Sequence, residues 1–151
     1  MANTQAMCTS FKSEILSGIH ALGTTVTRAG TGADTIKAAL YLASASQGAG
    51  TTAYAVTGEV SGTGYSAGGV TATNATAPTS SGTTAYWTPS ASFTYTTVTL
   101  TTSFDCVLVY NSTQSNKAIS VHTFGAQTIT AGTFVLSMPT NDASNALIRI
   151  A

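Results

Sequence analysis

DCVLVYNSTQSNKAISVHTF, Asp105 to Phe124, decides the fold class. Cys106 to Tyr110 are apolar on both parities of a two-residue period, the pattern of a strand covered on both faces. NSTQSN follows as a hairpin-type loop of turn-forming residues. KAISVHTF then resumes a strand-like run of β-branched and aromatic residues.

The two-residue period extends outward from this pair. Upstream, DTIKAALYLAS places Ile36, Ala38, Leu40 and Leu42 on one face, and QGAG ends it as a turn. TTAYAVTGEV reads as a second strand, SGTGYSAGG as a loop, and GVTATNAT as a weak third strand stopped near Pro78. TTAYWT and ASFTY flank Pro89, where a strand bends or ends. Phe93 and Tyr95 alternate correctly, but Val98 and Leu100 fall on the opposite parity, so a bulge or tight turn is expected near Thr96–Thr97. Downstream, QTIT, GTFVLSM and ALIRI are separated by GA, AG and PTNDASN. About nine or ten short strands at regular spacing predict a mainly β chain, an antiparallel sandwich of jelly-roll or immunoglobulin-like kind, with jelly-roll-like preferred.

One amphipathic helix is expected, over residues 4–22. Phe11, Ile15, Ile19 and Leu22 share a face there, His20 sits in the last turn, and Gly23 follows as the residue that ends it. The organisation expected is one domain, with a helix in 1–23 and the sandwich in 24–151.

Charge is scarce. Only 7% of the 151 residues are charged, net charge is zero, and no formal charge occurs between Glu59 and Asp105. Average soluble domains carry roughly 25%. Threonine supplies about a fifth of the chain, so hydroxyls are expected to take over hydration until partners cover the surface. No basic patch is available to neutralise phosphates, which argues against nucleic acid. No apolar run is long enough to span a membrane, and the first residues lack the pattern of a signal peptide. Cytoplasmic synthesis follows, with Cys8 and Cys106 as reduced thiols.

Candidates for chemistry are few. Glu14, Asp34, Glu59, Asp105 and Asp142 are isolated in sequence and read as solvated charges or turn caps, with Asp142 as an Asx-turn residue. His20 and His122 have no partner at metal-ligand spacing. Cys106 reads as a buried, inert thiol. No GxSxG turn exists. GTGYSA matches the dinucleotide fingerprint in letters but precedes a strand, not a helix. Asn74-Ala-Thr and Asn111-Ser-Thr match glycosylation acceptors and read as surface loops. No catalytic residue, metal or cofactor is therefore expected. Aromatic residues set among hydroxyls suit partly polar binding surfaces, although Trp87 in a sandwich more often fills the core. The candidate interface residues are Phe11, Lys12 and Ile15 on the helix, with Tyr54, Tyr65, Tyr86 and Trp87.

The blocks MCTSFKSEILSGIHALGTTVTRA, IKAALYLASA, YAVTGEVSGTGYSAGGVTATNATAP and QTITAGTFVLSMPTNDASNALIRIA span nearly the whole chain. Together they resemble small virion structural proteins of tailed bacteriophages. The resemblance implies a non-enzymatic capsid cement or decoration protein. It would lie on the virion surface as a homotrimer and bridge major capsid subunits. It carries over no catalytic residue. Two other readings compete: a tail- or fibre-associated adhesin stacking Tyr65, Tyr86 and Trp87 on host glycans, and a wall-degrading enzyme, which the shortage of acids and histidines disfavours.

Overall fold

The computed structural model describes residues 2–23, 32–73 and 76–151. It is mainly β, with two antiparallel sheets and one short helix. The elements are β1 (Ala6–Met7), α1 (Thr9–Leu16), β2 (Ile36–Leu42), β3 (Val70–Thr71), β4 (Thr79–Ser81), β5 (Thr84–Trp87), β6 (Phe93–Asn111), β7 (Lys117–Leu136) and β8 (Ile148–Ile150). One sheet runs β1-β7-β6-β2-β3 and the other β4-β5-β8.

The Asp105–Phe124 stretch forms the expected pair. Val107 faces His122, Leu108 faces Val121 and Asn111 faces Lys117. Cys106 to Asn111 are all buried, because β2 and β7 flank this segment and other elements cover its faces. Ser115 and Asn116 turn the chain at positive φ, a conformation that asparagine tolerates better than most residues.

Several expected breaks are absorbed into these two long strands. The bulge expected near Thr96–Thr97 is present: Thr97 has φ 52, and pairing jumps from Tyr95↔Phe134 to Val98↔Gly132. That jump restores burial of both Phe93 and Tyr95 and both Val98 and Leu100. GA and AG, read as separators, lie inside β7. The second is accommodated by Ala131 at φ 46 and by a register shift beside Leu100. QTIT and GTFVLSM are thus not separate strands.

Two further expectations are corrected. TTAYAVTGEV does not form a strand; its pairing with the sheet is limited to isolated bridges, Tyr41↔Glu59 and Ala53↔Lys117. A turn at 56–58, closed by Glu59 N donating to Val56 O, interrupts the run. The helix is Thr9–Leu16, not 4–22. Gly18, at φ 67, ends it: Gly18 N donates to Ile15 O and Ile19 N to Glu14 O. This paired closure is the Schellman arrangement. Gly23 is not the helix-ending glycine, and His20 lies beyond the last turn.

One hydrophobic cluster joins all layers. Phe11 from α1 and Trp87 and Ile148 from the smaller sheet belong to the same core as Leu40, Phe104 and Leu108 of the larger one.

Candidate functional site

The formal charges, except Arg28 which lies outside the described residues, fall into an unexpected pattern. Glu14, Asp34 and Glu59 are buried, where the sequence reading made them solvated. Asp105, half-buried, accepts from Asn3 Nδ2 at 2.6 Å. Asp142 forms the expected Asx turn, accepting from Ser144 N and Asn145 N at 2.8 Å each. Among the described residues, only Lys12 and Arg149 are exposed charges; the others are half-buried or buried.

Burial of three carboxylates requires partners, and two polar clusters supply them. In the first, Glu14 Oε1 accepts from Lys117 Nζ at 2.6 Å and Oε2 meets His20 Nε2 at 2.9 Å. Burial alone would raise the Glu14 pKa, but the bonds and charges of Lys117 and His20 outweigh it and lower it. Asn111 Nδ2 lies 3.1 Å from His20 Nδ1 and 2.6 Å from Asp34 Oδ2. An amide nitrogen only donates, so His20 Nδ1 accepts and Nε2–H points to Glu14. Burial holds this imidazole neutral, its pKa lowered against the opposing pull of Glu14. Asn111 Oδ1 accepts from Thr113 N and Gln114 N. Asn111 is therefore a fully buried brace of the hairpin loop, not the surface glycosylation acceptor suggested by its sequence. Asn74 lies outside the described residues.

The second cluster surrounds Glu59. Tyr54 Oη donates to Oε2, and Tyr65 Oη and Gly68 N donate to Oε1, each at 2.7 Å. Tyr110 Oη donates to Gly68 O at 2.8 Å and Tyr95 Oη to Ala38 O at 2.9 Å. Burial, with the Glu59 charge, pushes Tyr110 up to about 12 and raises Tyr54, Tyr65 and Tyr95 further. These phenols stay protonated and donate. The cluster clamps the long uncharged loop onto β2 without placing charge at the surface.

The candidate interface residues fall into two groups: Phe11, Ile15, Tyr86 and Trp87 line one apolar cleft of about 210 Å³ with Ile148 and Ile150, and Tyr54 and Tyr65 meet at Glu59. Phe11 and Trp87 are inside the core, and Trp87 Nε1 donates to Thr76 O at 2.9 Å. Tyr54 and Tyr65 are half-buried with hydroxyls turned to Glu59, and Tyr86 is half-buried on β5. Lys12, exposed, and Ile15, half-buried, also come together in a neighbouring hollow. Arg149 and Leu16, which the sequence reading passed over, join them there. Their signal was faint: a lone cation in ALIRI, and a leucine off the helix's apolar stripe.

Hydroxyls are prominent on the rest of the outer surface, beside exposed alanines, glycines, Val56 and Val135. On β6, Thr94, Thr96, Thr97, Thr101, Thr102 and Ser103 are exposed, and across the ladder so are Thr128, Thr130 and Thr133 of β7. Alternation explains it, since the intervening Phe93, Tyr95, Val98 and Leu100 turn to the core.

Reactive chemistry is muted. Burial raises the Cys8 thiol to about 11 and Cys106 to about 12, and both are free thiols. Among the described residues, no three His, Cys, Asp or Glu side chains stand where they could hold a metal, and no helix is long and apolar enough to cross a membrane. No protein-family model, curated protein or solved structure matches the chain.

His122 gives a pH prediction. Burial lowers its pKa from 6.5 to about 4, while Ser120 Oγ lies 2.9 Å from Nε2 and Arg149 lines the same cleft. The folded ring is neutral where the unfolded one takes a proton. Its contribution is whole above pH 6.5 and is lost as pH falls towards 4, roughly 2 kcal/mol allowing for the ring's partial exposure. Urea midpoints at pH 7 and pH 4.5 should differ accordingly, and by clearly less in His122→Gln. An identical difference in the variant removes His122 as the source.

Proposed function

We propose that the chain is a non-enzymatic structural subunit of a bacteriophage particle, of the capsid cement or decoration kind. In this reading its two sheets pack as a jelly-roll-like sandwich, and copies associate as a homotrimer on the major capsid protein at the virion surface. The observation that supports it most is where the charge sits. Three of the five carboxylates are drawn inside, and the exterior is largely uncharged, with many threonines and serines on it. A subunit fixed in an assembly gains from this, because hydroxyl surfaces are less costly to desolvate than ionic ones. Many weak contacts across a shell add through multivalency.

The adhesin reading loses its platform, because Trp87 is in the core and Tyr65 spends its hydroxyl on Glu59. Glycan stacking would fall to Tyr86 alone.

Particles assembled without this protein provide the test. They should release DNA at a temperature several degrees below that of complete particles, and purified protein added back should restore it. Equal release temperatures with and without the protein would remove the cement role.

A further inference from the structure

Two free sheet edges open onto one trough. β1 ends the larger sheet and β8 ends the smaller. A cleft of about 390 Å³ lies between them, with Ala6 and Met7 on one wall and Ile148 and Arg149 on the other. Across Met7 and Arg149 it continues into a wider, apolar hollow of about 580 Å³ lined by Ile15, Leu16 and Ile150. Leu16 is 90% exposed and Ile150 42%. An edge strand leaves alternate backbone N–H and C=O groups without a strand partner, and here apolar side chains stand beside them.

Charge defines what fits. Lys12 and Arg149, the exposed charges among the described residues, both line the hollow. No carboxylate side chain lines either part of the trough. Asp142 feels the charge of Arg149, but its own oxygens are taken by Ser144 and Asn145.

We infer that the trough between β1 and β8 receives an extended segment of a different protein, with an acidic residue flanked by apolar ones, which adds a strand to β8. Strand addition gives main-chain hydrogen bonds and lets alternate side chains enter the hollow. The acid of the segment lies between Lys12 and Arg149. A second copy of this chain is a poor occupant, because its own carboxylates are buried or engaged. The inference goes beyond the particle reading, since the chemistry of the trough defines the partner whatever assembly supplies it.

Fluorescence anisotropy on the intact protein tests it with two dye-labelled peptides of alternating valine and threonine, one with two central glutamates and one with two central lysines. The glutamate peptide should bind, weaken with salt, and fail when its alternate backbone amides are N-methylated. The lysine peptide should not bind. Lys12→Glu/Arg149→Glu, at two exposed positions, should weaken the glutamate peptide at least about tenfold at low salt and admit the lysine peptide. Three outcomes would overturn the inference. One is equal binding of both peptides, the second is binding of neither, and the third is sedimentation showing self-association through this trough that Leu16→Ser abolishes. A protein that takes the glutamate peptide but leaves particle stability unchanged would keep the trough and remove the cement role. The reverse result would do the opposite.

Discussion

Gly69→Ala is expected to destabilise the fold by at least about 3 kcal/mol, or to prevent its recovery as folded protein. Two independent constraints meet at this residue. Its φ is +69, a region costly for a residue with a Cβ. A Cβ there would also run into the carbonyl of Ala38 and the Cα of Ala39, both backbone atoms of β2. Backbone in a central strand cannot step aside without breaking its ladder with β6. Gly82→Ala is the control. Gly82, in the β4–β5 turn, also has positive φ, but nothing lies within 4 Å of the added carbon. It should cost only about 1 kcal/mol. Chemical denaturation of both variants checks the pair. Equal, small losses would mean that the loop does not press on β2 as described.

Glu59→Ala is the second large effect, at about 3–5 kcal/mol. The carboxylate accepts from two tyrosine hydroxyls and one backbone amide. Removing it strands three donors at once, the buried Gly68 amide and the hydroxyls of the half-buried Tyr54 and Tyr65, and each unpaired group carries its own desolvation cost. Glu59→Gln keeps the volume but turns one acceptor into a donor facing Tyr54 or Tyr65 and Gly68. Its loss should fall between wild type and Glu59→Ala. Denaturant midpoints order the three proteins, and hydrogen exchange should show faster exchange at Gly68 and neighbouring amides. A stability change below about 1 kcal/mol in Glu59→Ala would show that the cluster is solvated and not a clamp.

Much of the β architecture was legible because alternation reports burial directly. Phe93, Tyr95, Val98 and Leu100 announced both a strand and the bulge within it, and Asp105–Phe124 announced the central pair. Strand continuity was not legible. Gly125, Ala131 and Gly132 look like breaks, but a long hairpin absorbs them as bulges, which depend on pairing with β6 and not on local propensity. The helix was overextended because Ile19 and Leu22 keep its spacing; Gly18, four residues before the expected end at residue 22, decided otherwise through its φ and its two capping bonds.

The candidate site was less legible for a related reason. Isolated carboxylates look solvated in a linear chain. Glu14 finds Lys117 and Asp34 finds Asn111 across long sequence separations, and His20 reaches Glu14 only because the chain turns back after the helix end. Tyr54 and Tyr65 were singled out as candidate interface residues, and the structure turns both hydroxyls to Glu59. Their proximity to Glu59 in sequence was the available sign that they serve an internal anion.

The buried carboxylates and the hydroxyl-rich exterior are two sides of one arrangement. The buried carboxylates are spent on holding the helix and loops to the sheets, and among the described residues the exposed charges are Lys12 and Arg149 beside β8. Quantitative mass spectrometry of purified virions tests the particle role built on this most directly. The account predicts on the order of tens to hundreds of copies of this chain per particle, as shell symmetry demands of a capsid subunit. Its absence from virions, or six or fewer copies, would contradict it.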